Sequence, residues 1–409
     1  MNIQARTTSG KERPAPEPFP GDKAMTALYL PSLIRIGGGA LNELPAALKQ
    51  AGLSKPFIIT DNFMAKTGLL GRVQTLLENA GFKSGAFQDA VPDPTVTSVE
   101  AALTALKSQT YDCVIGLGGG SPIDTAKMVA VLAKHGGSPA QLKVPHVQDE
   151  VGLPIIAIPT TAGTGSEATR VTVITDETTD EKMLCAGYAY LPHIAIVDYE
   201  LTLTMPRRLT ADTGIDALTH AIEAYVSKRA SPFTDALALS AMKRIWHALP
   251  IACAEPSNKT AREQVMQGAF EAGMAFSNAS VALVHGMSRP IGAHFHVAHG
   301  LSNAMLLPEI TAWSVAGAQA RYATCARVMG IAPSGMDDSA ACAELVTALR
   351  ERNHELDVPT PSTYGLEETR WNTLLPLMAE QALASGSPDN NPRIPTEEDI
   401  IALYQKVWA

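Results

Sequence analysis

A strand that empties into three consecutive glycines sets the tightest limit on what this chain can fold into. The apolar run from Tyr111 to Leu117 reads as a buried strand, and Gly118-Gly119-Gly120-Ser121-Pro122-Ile123-Asp124 follows it directly. A plain strand-to-helix turn needs one glycine; three let backbone N–H groups approach a ligand with no Cβ in the way. The spacing predicts a helix over 122–134, with Ser121 as N-cap, Pro122 at the first helical position and Asp124 completing an S-x-x-D capping box. Free N–H groups and the positive end of the helix dipole would then converge, which favours an anion such as a pyrophosphate. The run is neither G-x-G-x-x-G nor a Walker A loop, since no Gly-Lys-Ser/Thr follows.

The surrounding pattern alternates. Strands are expected over 28–36, 56–60, 111–117, 153–158, 169–175 and 194–197, and helices over 41–52, 63–80, 97–108 and 122–134. That alternation predicts a parallel α/β sheet. After Pro206 the β-branched runs disappear, and the periodicity predicts helices over 213–227, 232–248, 261–283, 301–317, 317–329, 337–352, 366–384 and 397–408. Three segments follow: a proline-rich leader at 1–24 expected to be disordered, an α/β domain at 25–205, and a helical domain at 206–409. Met25 is the candidate start of the fold.

Lysine and arginine number 32 against 41 aspartate and glutamate, a formal net charge of −9. With no basic stripe to neutralise phosphates, nucleic acid is not an expected partner. No apolar run reaches the roughly 18 residues that span a bilayer, so no membrane partner is expected either. The N-terminus shows no apolar signal region. The five cysteines are odd in number and contain no CxxC pair, which suits a reducing, cytoplasmic setting and offers no thiolate metal site.

A second polar turn, Thr160-Thr161-Ala162-Gly163-Thr164-Gly165-Ser166-Glu167, follows the strand at 153–158. Its hydroxyls stand where an α/β sheet binds ligands. Asp61 ends the strand at 56–60, where a carboxylate can accept hydrogen bonds from a ribose diol and repel a 2′-phosphate; an Asx-turn role is equally open. In the second half, Asp216 and His220 are i, i+4 on one face of an apolar helix. Four of the ten histidines, His285, His294, His296 and His299, fall within fifteen residues. His285 is expected to end an apolar helix and His299 to open the next. One carboxylate and three imidazoles suit iron, zinc, cobalt or nickel as divalent ions, with a position left for a substrate oxygen. Spacing does not choose among the four histidines.

Taken together, these motifs resemble the iron-containing (group III) alcohol dehydrogenases, from about residue 25 to the C-terminus. The resemblance rests on Gly118-Gly119-Gly120-Ser121-Pro122-x-Asp124, Thr160 to Glu167, Asp216-Ala217-Leu218-Thr219-His220, His285-Gly286-Met287 and His299-Gly300. It implies a dehydroquinate synthase-like architecture, with a dinucleotide-binding α/β domain, an all-helical domain and the active site in the cleft between them. It implies Asp216, His220, His285 and His299 as metal ligands, with Fe2+ favoured and Zn2+ accepted. It also implies NAD contacts from Asp61, Asp93, Gly119, Gly120, Ser121, Thr160, Thr161, Thr169, Val171, Lys182 and Leu201. The expected activity is NAD-linked interconversion of an alcohol with an aldehyde or ketone by a cytoplasmic homodimer. The resemblance names no catalytic side chain; His294 and His296 become candidates around the site, with His296 the candidate proton relay.

One position departs from the family. Many members carry a second histidine four residues after the one at His285, where this chain has Arg289. Arginine cannot serve as a base near neutral pH, but a guanidinium in the cleft could bind a substrate that carries an acidic group. The competing expectation is that Arg289 turns away and pairs with an acid of the fold. Three other functions are weighed. A lyase or cyclase of the dehydroquinate synthase kind uses a different ligand set, a metal-independent maleylacetate-type reductase would not need all four ligands, and a non-catalytic scaffold would need neither motif.

Overall fold

A computed structural model describes residues 27–179 and 181–409; the leader at 1–24 and Met25 lie outside the described residues. Eight strands form: β1 Leu33–Ile36, β2 Pro56–Ile59, β3 Gly85–Phe87, β4 Cys113–Gly118, β5 Ile155–Pro159, β6 Val171–Asp176, β7 Glu181–Ala186 and β8 Ile194–Val197. The helices between them are α1 Leu44–Gln50, α2 Asn62–Lys66, α3 Leu69–Asn79, α4 Val96–Lys107, α5 Gly120–His135 and α6 Pro139–Leu142. Beyond them the described chain is helical: α7 Arg207–Val226, α8 Pro232–Ala254, α9 Lys259–Ala279, α10 Leu283–Phe295, α11 His299–Ser314, α12 Gln319–Val328, α13 Asp338–Glu355, α14 Pro361–Tyr364, α15 Glu368–Ala384 and α16 Glu397–Lys406.

Six strands make one sheet in the order β1-β8-β5-β4-β2-β3, and every pair in it is parallel. Parallel neighbours need crossovers, which the helices supply on both faces. Alternation along the strands sorts the two faces. Phe57, Ile59 and Val114 pack with Val99 and Leu106 of α4 and Val129 of α5. Ile58, Ile115 and Ile156 pack with Leu44 and Leu48 of α1 and Val73 and Leu77 of α3. Both faces are covered, so the inner strands β2, β4, β5 and β8 are buried throughout and read as unbroken apolar runs. The strand order reverses between β2 and β4, which opens a crevice at their carboxyl ends. Asp61 and the glycine loop stand on either side of it.

Two strand expectations change. The strand expected over 28–36 is confined to Leu33–Ile36. The one at 169–175 leaves the parallel sheet: β6 pairs antiparallel with β7, Ile174 opposite Met183. This hairpin is laid over α5. Neither β3 nor β7 was expected; β3 is three residues long, and β7 opens on two charged residues, Glu181 and Lys182, before its four apolar ones.

Candidate active site

Gly119, not Ser121, is the N-cap of α5, and no side chain caps it. The capping box expected from Ser121 and Asp124 does not form. Asp124 is instead drawn under the hairpin, where its carboxylate accepts from Ser166 Oγ at 2.7 Å and Val173 N at 2.9 Å. The first turn of α5 is therefore left open toward the crevice, which is the anion-binding arrangement. Gly118 has φ +147°, outside the reach of an ordinary side chain, and a Cβ at Gly120 would lie 3.1 Å from Thr164 Cγ2. The hydroxyl-bearing turn thus closes over the glycines. Thr160 is buried and its N–H donates to Gly118 O at 2.9 Å. Thr161 Oγ1 is buried with no partner among the described residues, an orphan that a bound ribose or amide could satisfy.

Of the two roles open to Asp61, the Asx-type cap is the one formed here. Its Oδ1 accepts from Met64 N at 2.8 Å and caps α2, while Oδ2 stands 3.5 Å from where a Gly118 Cβ would be. Asp93, at φ +50°, pairs with Lys182 Nζ at 3.1 Å. Leu201 lies in the turn after β8, against the sheet core. Thr169 and Val171 turn their carbonyls inward, onto a residue that sequence reasoning passed over. Lys127 Nζ is fully buried and donates to Thr169 O, Thr169 Oγ1 and Val171 O at 3.0, 3.0 and 2.8 Å. Burial pushes Lys127 down to about 8, against the pull of Asp124 and Glu167. Burial likewise pushes Glu167 up to about 7.

The metal candidates come together. Asp216, His220, His285 and His299 each offer a ligand atom, and all four atoms lie within 4.8 Å of one another. Asp216 and His220 share a face of α7. His285 does not end a helix as expected; it lies in the first turn of α10, and Pro290, expected to be a joint, sits inside that helix. His299 opens α11, as expected. Gly300 makes the convergence possible, because a Cβ there would come within 2.6 Å of Asp212 O on α7. The rings of His220 and His285 stack at 4.4 Å, and His220 stacks on Phe276 at 4.0 Å.

Donor chemistry and satisfaction both fit a divalent cation. His220 Nδ1 and His285 Nε2 are buried and make no well-formed hydrogen bond among the described residues, with only Asp216 Oδ1 at 3.5 Å beside His285 Nε2, a costly state that a cation would relieve. Around them are groups that sequence reasoning missed. Glu223, on the same face of α7 at i+3 from His220, accepts from His285 Nδ1 at 2.7 Å. The bond aims the Nε2 lone pair at the cluster. Asn303, four residues after His299, donates to Asp216 Oδ1 at 2.6 Å. Helical spacing from the expected ligands could have found both. Burial pushes His220 down to about 3 and His299 down to about 4. Burial would lower His285 too, but the carboxylates of Asp216 and Glu223 beside it turn it up to about 9. Burial opposes ionisation of Asp216, yet the three histidines hold it well below the usual carboxylate range.

The remaining candidates separate. His294 Nε2 pairs with Gln381 Oε1 at 2.8 Å, on α15. His296 caps α10 at φ +55° and is exposed. Arg289 is partly buried and makes no ion pair or hydrogen bond among the described residues, so the expectation that it pairs with an acid of the fold is not met.

Residues 31–199 match the family described as iron-containing alcohol dehydrogenase, and residues 210–408 match the C-terminal part of the same family. The chain is 37% identical to the NAD-dependent methanol dehydrogenase of Bacillus methanolicus, over 93% of this chain and 99% of that one. Among solved structures, a 1,3-propanediol oxidoreductase superposes with a TM-score of 0.90 at 32% identity, covering 94% of this chain and all of the other. The sulfoacetaldehyde reductase of Bifidobacterium kashiwanohense, solved with NAD+, superposes at 0.85 and 27% identity, over 95% and 100%. The chain belongs to the iron-containing alcohol dehydrogenase family, and it is an NAD-linked oxidoreductase of alcohols and aldehydes or ketones.

Proposed function

We propose that this enzyme works with a single divalent ion, iron in preference to zinc, held by Asp216, His220, His285 and His299. The observation that carries the reading is the convergence of those four ligand atoms within 4.8 Å. When bound, the cation would act as a Lewis acid toward a hydroxyl or carbonyl oxygen, and the nicotinamide would exchange hydride with the carbon that bears it.

The chain's own residues do the rest. The open first turn of α5, with Gly119, Gly120 and Ser121, is read as the seat of the cofactor diphosphate. Asp61 is read as the partner of the adenosine ribose, with Thr160, Thr161, Thr169, Val171, Lys182, Asp93 and Leu201 around the rest. Glu223 and Asn303 hold His285 and Asp216 in orientation. His296, exposed at the end of α10, is read as the group that passes the proton to solvent. The unit of 25–205 would carry the cofactor and that of 206–409 the metal, which the change from strands to helices after Val197 supports. Five free, buried cysteines support a reducing, cytoplasmic setting. Among the described residues no helix is long and apolar enough to cross a membrane. The homodimer rests on the family resemblance.

The test is metal content and NAD-linked turnover on one anaerobically purified sample, with short alcohols and aldehydes, before and after chelation. Loss of turnover on chelation and its return with Fe2+ or Zn2+ is expected. Full activity in metal-free protein would overturn the reading.

A further inference from the structure

On α10, His285, Arg289 and Gly292 fall at i, i+4 and i+7, so they share one helix face. That face looks across at the hairpin: a Cβ at Gly292 would lie 3.7 Å from Lys182 Nζ on β7. Arg289 therefore sits one turn from His285, on the side that faces the sheet half. Its charge and that of Lys182 both bear on His299 and help keep that imidazole unprotonated. The two cations differ in one respect. Lys182 is paired with Asp93 at 3.1 Å. Arg289 has no hydrogen bond or ion pair among the described residues, although burial disfavours its charge and Glu223 offsets this only through space. A partly buried guanidinium with five unused donors is costly unless something arrives to use them.

We propose that Arg289 is the anion-recognising residue of the substrate pocket, and that the substrate is a short hydroxy acid or oxo acid whose carboxylate or sulfonate pairs with this guanidinium. The proposal rests on the functional reading above and names the substrate class for that same site. Adjacent turns of a helix place side chains about 5–6 Å apart, so the anionic group stands only a few bonds from the reacting carbon. Planar, two-pronged pairing suits a carboxylate and one edge of a sulfonate equally. The likeness to a sulfoacetaldehyde reductase is in keeping with this class. The chemistry balances with the cofactor of the established activity. In the oxidising direction the carbinol C–H bond breaks, its electron pair and hydrogen pass to NAD+, and the hydroxyl proton leaves for solvent. The products are the oxo acid, NADH and a proton, with the anionic group unchanged.

The experiment compares matched substrates on the metal-loaded enzyme: 4-oxobutanoate against butanal, and sulfoacetaldehyde against glycolaldehyde. The readout is the ratio of kcat/KM within each pair, for wild type, Arg289→Lys and Arg289→Gln. Wild type is expected to favour at least one anionic member by about tenfold or more, and the pair that does so identifies carboxylate or sulfonate. In Arg289→Gln that ratio is expected to fall about thirtyfold through a raised KM, as expected when a buried charge-assisted pair is lost. Arg289→Lys is expected to restore part of it. A binding measurement gives a second readout: calorimetry with butyrate and ethanesulfonate should show saturable binding to wild type that Arg289→Gln loses, with circular dichroism confirming that the variant is folded. Turnover of the neutral members alone would overturn the anion proposal and leave the oxidoreductase reading standing. A ratio unmoved by Arg289→Gln, or a rise in the KM for NADH in step with that for substrate, would also overturn it. Absence of turnover on all four compounds would overturn both.

Discussion

Glu223 holds His285 by a 2.7 Å hydrogen bond to Nδ1, and the same carboxylate receives the N–H groups of Ala282 and Val284 at 2.9 and 2.6 Å. One side chain thus fixes both the imidazole and the start of the helix that carries it. Glu223→Gln keeps the shape but gives up a charge-assisted acceptor. It is expected to weaken metal affinity about 10–100-fold, the usual size of such an effect, read by competition with a chromogenic chelator. Unchanged affinity would count against the proposed metal site.

Gly300→Ala is expected to destabilise the protein by about 1–3 kcal/mol, as overpacking of a filled interior does. The clash is with a backbone carbonyl, Asp212 O, at 2.6 Å, so a flexible side chain cannot absorb it. His299 and Asp216 would be pushed apart, and metal stoichiometry should fall with the melting temperature. Thermal unfolding and metal analysis on the same preparation check both.

Glu167 gives a pH dependence with a defined sign. Burial raises its pKa from 4.5 to about 7 in the folded chain, so the folded state binds the proton more tightly. The stabilisation is fully present below about 4.5 and is lost as pH rises through about 7. Glu167→Gln removes that slope, so denaturation midpoints at pH 5 and pH 7.5 should differ less in the variant than in wild type. Equal differences would mean that Glu167 does not titrate in this window.

Asp61 separates two functions by substitution. Asp61→Ala loses the cap on α2, at a cost of about 1 kcal/mol. Asp61→Asn keeps an acceptor for Met64 N but removes the charge proposed to face the ribose. The ratio of kcat/KM for NADP over NAD should rise about tenfold in Asp61→Asn, equivalent to roughly 1.4 kcal/mol. No change would place the adenosine ribose elsewhere.

The strands and long helices were legible because a strand buried on both faces and an amphipathic helix each leave a periodic mark. Asp124 shows where local signals lead astray. Ser121 and Asp124 have capping-box spacing, but the carboxylate finds better partners in Ser166 and Val173, which lie 42 and 49 residues away. The start of α10 was hidden by Pro290, whose missing N–H argues for a break, yet the helix runs through it. The four metal candidates were named through resemblance, because spacing alone left His294 and His296 open. The structure separates them by giving His294 a partner on α15. Lys127 left no signal, since an acidic and a basic residue three apart look like a solvated helix face.

The seam of the cleft is made by glycines from both halves. A Cβ at Gly163 would lie 2.5 Å from Thr213 Cβ, and Gly165 meets Gly273 with no room for a methyl group between them. The four candidate metal ligands all belong to helices after Arg207, and the glycine loop belongs wholly to the sheet half. Under the proposed reading, each half would bring its own ligand set to the seam. What the seam alone decides is the gap the hydride has to cross. It acts as a spacer gauge, because a single added carbon there would have to push one half away from the other.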